Sequence, residues 1–160
     1  MKKSGLAIVA GLLGGVTGAA LVGKLSQQVM EDKDKRIDKF KSYYNMLNQW
    51  LCIHQQGGSL ADYFKKKNYK HIAVYGLGEM GSRLLDELNA SEIQVAYGID
   101  KNIDEVFDEI EVFSLDNINE ATEQVDAVVV TAIFAYDEIR EELEKHFDCV
   151  ILSLEDVVFE

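Results

Sequence analysis

Apolar positions follow three rhythms along this chain, and each rhythm predicts a different element. Residues 5–23 read GLAIVAGLLGGVTGAALVG, an uncharged run whose only polar side chain is Thr17. A bilayer-spanning helix needs about 20 such residues. Small residues recur four apart at Gly11/Gly15, Gly14/Gly18 and Ala19/Gly23, a spacing that lets helix backbones approach closely. Three readings are open: a membrane anchor, a signal peptide cleaved near Gly18-Ala19-Ala20, or a glycine-rich helix in water.

Over residues 26–56 the rhythm changes to that of a helix. Ile37, Phe40, Tyr44, Leu47, Leu51 and His54 are spaced 3–4–3–4–3, and Tyr43, Met46, Trp50 and Ile53 form a second stripe beside them. Two stripes suggest burial on two sides, against the following domain and against a second copy or a partner. A single wide face covering its own domain fits the same pattern. Gly57-Gly58 ends this helix. Ser59, with Asp62 three residues on, opens a short helix over residues 60–66.

From residue 70 onward, short runs rich in β-branched residues alternate with amphipathic stretches. Strands are expected at 70–75, 93–99, 110–113, 125–132 and 149–152, with helices after Gly78, at 116–122 and at 136–147. Such alternation predicts an α/β domain, a parallel sheet of about five strands in the order 3-2-1-4-5 with right-handed crossovers. It would be preceded by the apolar N-terminal helix and the long connecting helix. The expected divisions are 1–25 for the anchor or signal, 26–69 for the helical stalk and connecting helices, and 70–160 for the sheet domain.

The first strand runs into Gly76-Leu77-Gly78-Glu79-Met80-Gly81, and a helix and a second strand ending at Asp100 follow. Strand, G-x-G-x-x-G, helix, strand and acid within about thirty residues is the Rossmann arrangement. Gly76 permits the tight turn, Gly78 lets a pyrophosphate approach the backbone, and Gly81 allows close helix–strand packing. The free N–H groups and positive dipole end of the helix face the phosphates. Asp100 is placed to accept from ribose hydroxyls and would repel a 2′-phosphate, which favours NAD or a nucleotide-sugar over NADP. Strand order puts Thr131 and Ala132 beside this turn, at the switch point of the sheet. Glu79 suits the helix dipole but can also fold over the site and repel a phosphate. A Rossmann-shaped scaffold without a ligand therefore stays in contention.

Charge narrows the partners. The formal net charge is −12, yet residues 1–41 carry eight Lys/Arg against four Asp/Glu. An acidic sheet domain repels nucleic acid, so no DNA or RNA partner is expected. The basic residues beside the apolar run point to a membrane surface. Lys2 and Lys3 flank one side of that run, while Lys24, Lys33, Lys35, Arg36, Lys39 and Lys41 flank the other. This asymmetry favours a single-pass protein of the cytoplasmic membrane with its C-terminal domain in the cytoplasm. Cys52 and Cys149 read as reduced thiols in apolar surroundings, and Cys52 with His54 lacks the second ligand pair of a zinc site, so no metal is expected. His71 and His146 have no evident partner. No acid/base pair or nucleophile constellation is visible at the predicted strand ends.

The run GLGEMG after a hydrophobic strand resembles the fingerprint of NAD-dependent hydroxyacid dehydrogenases. Those enzymes continue into a helical substrate domain with a catalytic lysine, so the resemblance is confined to the binding turn. The stretches Asn48–Leu51, Ser59–Phe64, Tyr75–Gly78, Tyr97–Asn102, Thr131–Phe134 and Ser153–Asp156 are similar to small bacterial proteins of polysaccharide and cell-envelope biosynthesis, which look like truncated sugar-nucleotide epimerase or dehydratase domains. That resemblance implies Gly76, Gly78, Gly81, Asp100 and Lys101 as nucleotide contacts, with Leu77, Glu79 and Met80 in the same turn. Three functions follow as expectations: a membrane-anchored nucleotide- or sugar-nucleotide-binding module, an interaction scaffold recruiting a partner through helix 26–56, or an oxidoreductase or epimerase completed by another subunit.

Overall fold

The computed structural model of the protein describes residues 30, 33, 36–101, 110–121 and 123–160. The apolar run 5–23 lies outside the described residues. Among those described, no helix is long and apolar enough to cross a membrane. The chain divides into two compact units, Met1–Tyr44 and Asn45–Glu160. The second takes in residues 45–69 together with the sheet.

Residues 36–55 are helical (α1). The helix closes as its glycines require: Gly57 lies in the left-handed region at φ 80°. Gly57 N donates to His54 O at 2.9 Å and Gly58 N to Ile53 O at 3.0 Å, the paired bonds of a Schellman C-cap. In the second unit Met46 and Trp50 are buried, whereas Leu47 and Leu51 are exposed. The stripe facing inward is thus the one containing Met46 and Trp50. Helix α2 (Leu60–Lys67) starts at the expected capping box, with Ser59 accepting from Ala61 N and Asp62 accepting from Ser59 N. Such a cap contributes about 1 kcal/mol.

The sheet follows the predicted plan. Strands β1 (His71–Tyr75), β2 (Gln94–Ile99), β3 (Val112–Phe113), β4 (Ala127–Val130) and β5 (Val150–Ser153) are all parallel, in the order β3-β2-β1-β4-β5. In β1 alternation sends Ala73 and Tyr75 to one face and Ile72 and Val74 to the other. All four are buried, as a parallel sheet covered on both sides demands. Ala73 and Tyr75 join Val128, Val130, Tyr97, Phe113 and Leu143 in one cluster. Leu143 belongs to α4 (Tyr136–Leu143), which packs on β4 and β5. Helix α3 (Glu79–Asn89) packs on β2 and α2, burying Leu84, Leu85 and Leu88.

Three elements depart from the expected pattern. The stretch after β3 is a 3-10 helix, Leu115–Glu120, rather than an α-helix. Helix α4 ends at Leu143, because the backbone turns there and both His146 N and Phe147 N donate to Leu143 O. A terminal helix, α5 (Leu154–Phe159), starts from Ser153, whose hydroxyl accepts from Glu155 N, and buries Leu154, Val157 and Val158.

Candidate functional site

The register of the three central strands determines what meets at their carboxyl ends. Tyr75 pairs with Ile99 on one side and with Val130 on the other. The next residue of each strand is therefore at one level: Gly76, Asp100 and Thr131. The sequence expectation that these segments converge is met, with Leu77–Gly81, Lys101 and Ala132 following directly in the chain.

Three residues hold the turn: Ile99, Thr131 and Asp100. Gly76 N donates to Ile99 O at 2.8 Å. Thr131, buried, donates its hydroxyl proton to Gly76 O at 2.6 Å, and its backbone N donates to Tyr75 O at 3.0 Å. Asp100 Oδ2 accepts from Leu77 N at 2.7 Å. Thr131 and Asp100 thus build the turn from its two sides. Neither role follows from the motif itself, which assigns the acid to a ribose.

The three glycines have different reasons for being glycine. Gly76 has φ +89°, and a Cβ there would lie 2.8 Å from Thr131 Oγ1. A Cβ on Gly81 would lie 2.2 Å from Gly76 O, inside the turn itself. Gly78 needs neither excuse: its φ is −65°, and a Cβ there would meet nothing within 4 Å. Gly78 is exposed and is the N-cap of α3, with no side chain capping the helix. The donors of the first turn of α3 are therefore not satisfied by a cap, beside open space, at the positive end of an eleven-residue helix.

Leu77 is buried beneath the turn, and Gly98 makes room for it, since a Cβ on Gly98 would lie 2.5 Å from Leu77 Cδ1. This explains the glycine before Ile99 and Asp100, which the motif leaves unassigned. Glu79 and Lys101 are exposed and Met80 is half-buried. Tyr75, at the end of β1, has its phenol pushed above its ordinary pKa by burial first and then by the charges of Asp100 and Glu142. The phenol stays protonated in the neutral range, a donor rather than a base.

Two polar devices elsewhere were not expected. Glu87 of α3, with a side chain 8% exposed, accepts from Trp50 Nε1, from Ser59 Oγ at 2.9 Å and from Leu60 N at 2.6 Å, with His54 Nε2 at 3.1 Å. It ties residues 50–60 to α3. Asp126 Oδ2 accepts from Lys70 N at 2.7 Å and His71 N at 2.9 Å, which starts β1 beside β4. Those bonds, His71 first, lower the Asp126 pKa below its ordinary value. Cys149 is half-buried and its thiol is pushed up, chiefly by burial. Among the described residues no group of three or more His, Cys, Asp or Glu is arranged to hold a metal ion.

The arrangement can offer backbone N–H groups to an anion at Gly78–Gly81. A comparison with curated proteins found no match. The C2185-like, N-terminal family matches residues 68–153, from the approach to β1 through the end of β5. With more than half of its length matched, the chain belongs to the C2185-like, N-terminal family.

Proposed function

We propose that the second unit is a nucleotide- or sugar-nucleotide-binding module, held at the cytoplasmic face of the membrane by residues 5–23. One observation carries the binding reading. Gly76 and Gly81 are required by the backbone of the turn, while nothing among the described residues requires a glycine at position 78. A phosphate resting on the N-terminus of α3 supplies that requirement, because a side chain at position 78 would occupy its place. Asp100 then suits a ribose without a 2′-phosphate. The uncharged run 5–23 and the cationic residues after it support the anchor. Accessory work in envelope polysaccharide synthesis rests on the sequence resemblance alone.

The test is thermal stabilisation of the full chain by NAD, NADP, ATP and UDP-, GDP- and dTDP-sugars. Ligand at one hundred times its Kd stabilises by about 2.7 kcal/mol, a shift of several degrees. A shift with NAD or one nucleotide-sugar class, weakened in Asp100→Ala, supports the reading; no shift with any compound contradicts it. The second reading, an interaction scaffold with an empty turn, is favoured by one contact: Asp100 Oδ2 is already engaged by Leu77 N. It predicts that outcome of no shift.

A further inference from the structure

The second unit carries a groove of about 530 Å³, a volume within the range of small-molecule sites. It lies among the 3-10 helix Leu115–Glu120 and the segments that lead into β4 and β5. Because the strands are parallel, this is the amino edge of the sheet, opposite the glycine turn. Ile118, Val125 and Phe147 give the groove apolar walls. Glu123 and Asp148 line it as well, and no Lys or Arg does. Neither carboxylate is paired with a cation among the described residues. Exposed carboxylates on a chain of net charge −12 need no explanation by themselves.

Tyr97 is what sets the groove apart. It is 4% exposed, and its ring is fixed edge-on against Phe113 with centroids 5.6 Å apart. Its hydroxyl bonds to none of the described residues, yet no sealed side-chain oxygen or nitrogen among them is left without a partner. The hydroxyl is therefore unsealed, and it opens on the groove that Tyr97 lines. A buried tyrosine normally engages its hydroxyl within the protein, as Tyr136 does with Ile151 O at 2.8 Å. Burial first, then the charges of Cys149 and Glu123, push the Tyr97 phenol above its ordinary pKa. The oxygen stays neutral and can accept as well as donate.

We propose that this groove binds the ammonium group of a primary alkylamine. Glu123 and Asp148 take the charge, the Tyr97 oxygen accepts one N–H, and Ile118, Val125 and Phe147 cover the alkyl chain. The sign follows from the lining, since both carboxylates repel an anion. A bare metal ion fits less well, because among the described residues no three His, Cys, Asp or Glu are arranged to hold one. The site does not depend on nucleotide binding at the opposite edge.

The experiment is calorimetric titration of the full chain, in mild detergent at low salt, with butylammonium and with tetramethylammonium. The two cations match in charge and carbon count, and only the first carries N–H donors. Expected is saturable binding of butylammonium, at least about fivefold tighter than tetramethylammonium. Tyr97→Phe should weaken butylammonium by about fivefold, the equivalent of one hydrogen bond. Glu123→Gln with Asp148→Asn should weaken it by at least about tenfold. Both carboxylates are exposed, so thermal unfolding of the double variant without ligand should match the parent. Absence of saturable butylammonium binding overturns the proposal. So does equal binding of the two cations, or butylammonium binding that either variant leaves unchanged.

Discussion

Replacing Glu87 with alanine withdraws one nearly buried carboxylate from the donors that gather on it. Trp50 Nε1 and Leu60 N belong to buried residues, and neither has another acceptor supplied by the substitution. Leaving a buried donor unsatisfied costs about 1–3 kcal/mol. The bond from His54, whose side chain is 47% exposed, adds little, and the Ser59 hydroxyl can turn to water. Two orphaned donors therefore set the loss at about 3 kcal/mol, which for a unit of this size lowers Tm by roughly 10 °C. Glu87→Gln keeps one acceptor oxygen and should lose about half as much. Urea unfolding followed by fluorescence measures this directly, because Trp50 is the single tryptophan and sits at the contact. A loss below about 0.5 kcal/mol in Glu87→Ala, the level of an ordinary surface substitution, would refute the idea that Glu87 fastens residues 50–60 to α3.

Two further substitutions test the turn and the start of the sheet. Gly81→Ala places a Cβ 2.2 Å from Gly76 O, so it should cost about 2–3 kcal/mol in the same unfolding assay, and unchanged stability would contradict the tight packing of α3 on the turn. Asp126 has a lowered pKa in the folded chain, so its contribution is present at neutral pH and is lost as pH falls from about 3.8 through the folded value. Asp126→Asn should cost about 1 kcal/mol at pH 7, modest because the side chain is 43% exposed. That cost should vanish at the acid end of a stability–pH series, and a cost independent of pH would contradict the assignment.

The sheet was legible because each of its signals was local and strong. Runs such as Ala127–Val130, buried at every position, are apolar throughout, and the glycine turn marks the first crossover. Residues 115–120 and 136–147 were harder, since helix type and helix end depend on backbone turns such as that at Leu143 rather than on periodicity. Helix α5 does carry a readable signal, Ser153 followed by apolar residues at 154, 157 and 158. In the candidate site the motif gave the members and their convergence. It did not show that Thr131 and Asp100 bind the turn itself, nor that Gly98 exists to seat Leu77, because both depend on contacts across strands. Glu87 was invisible for the same reason: its partners lie 27 to 37 residues away in the chain. Of the two stripes on α1, sequence alone gave no ground for choosing which one faces inward, since both are apolar and the choice rests on the fit of Met46 and Trp50.

On the proposed function, Gly78 is a glycine for the sake of a ligand and not of the fold. The most direct measurement is calorimetric titration of Gly78→Ala with whichever nucleotide stabilises the parent chain, alongside the unfolding of both proteins. A Cβ at position 78 meets nothing within 4 Å, so stability should stay within about 1 kcal/mol of the parent. Binding should weaken by at least about tenfold, the equivalent of 1.4 kcal/mol. Equal affinity in parent and variant would contradict the claim, as would a loss of stability large enough to make Gly78 a residue of the fold.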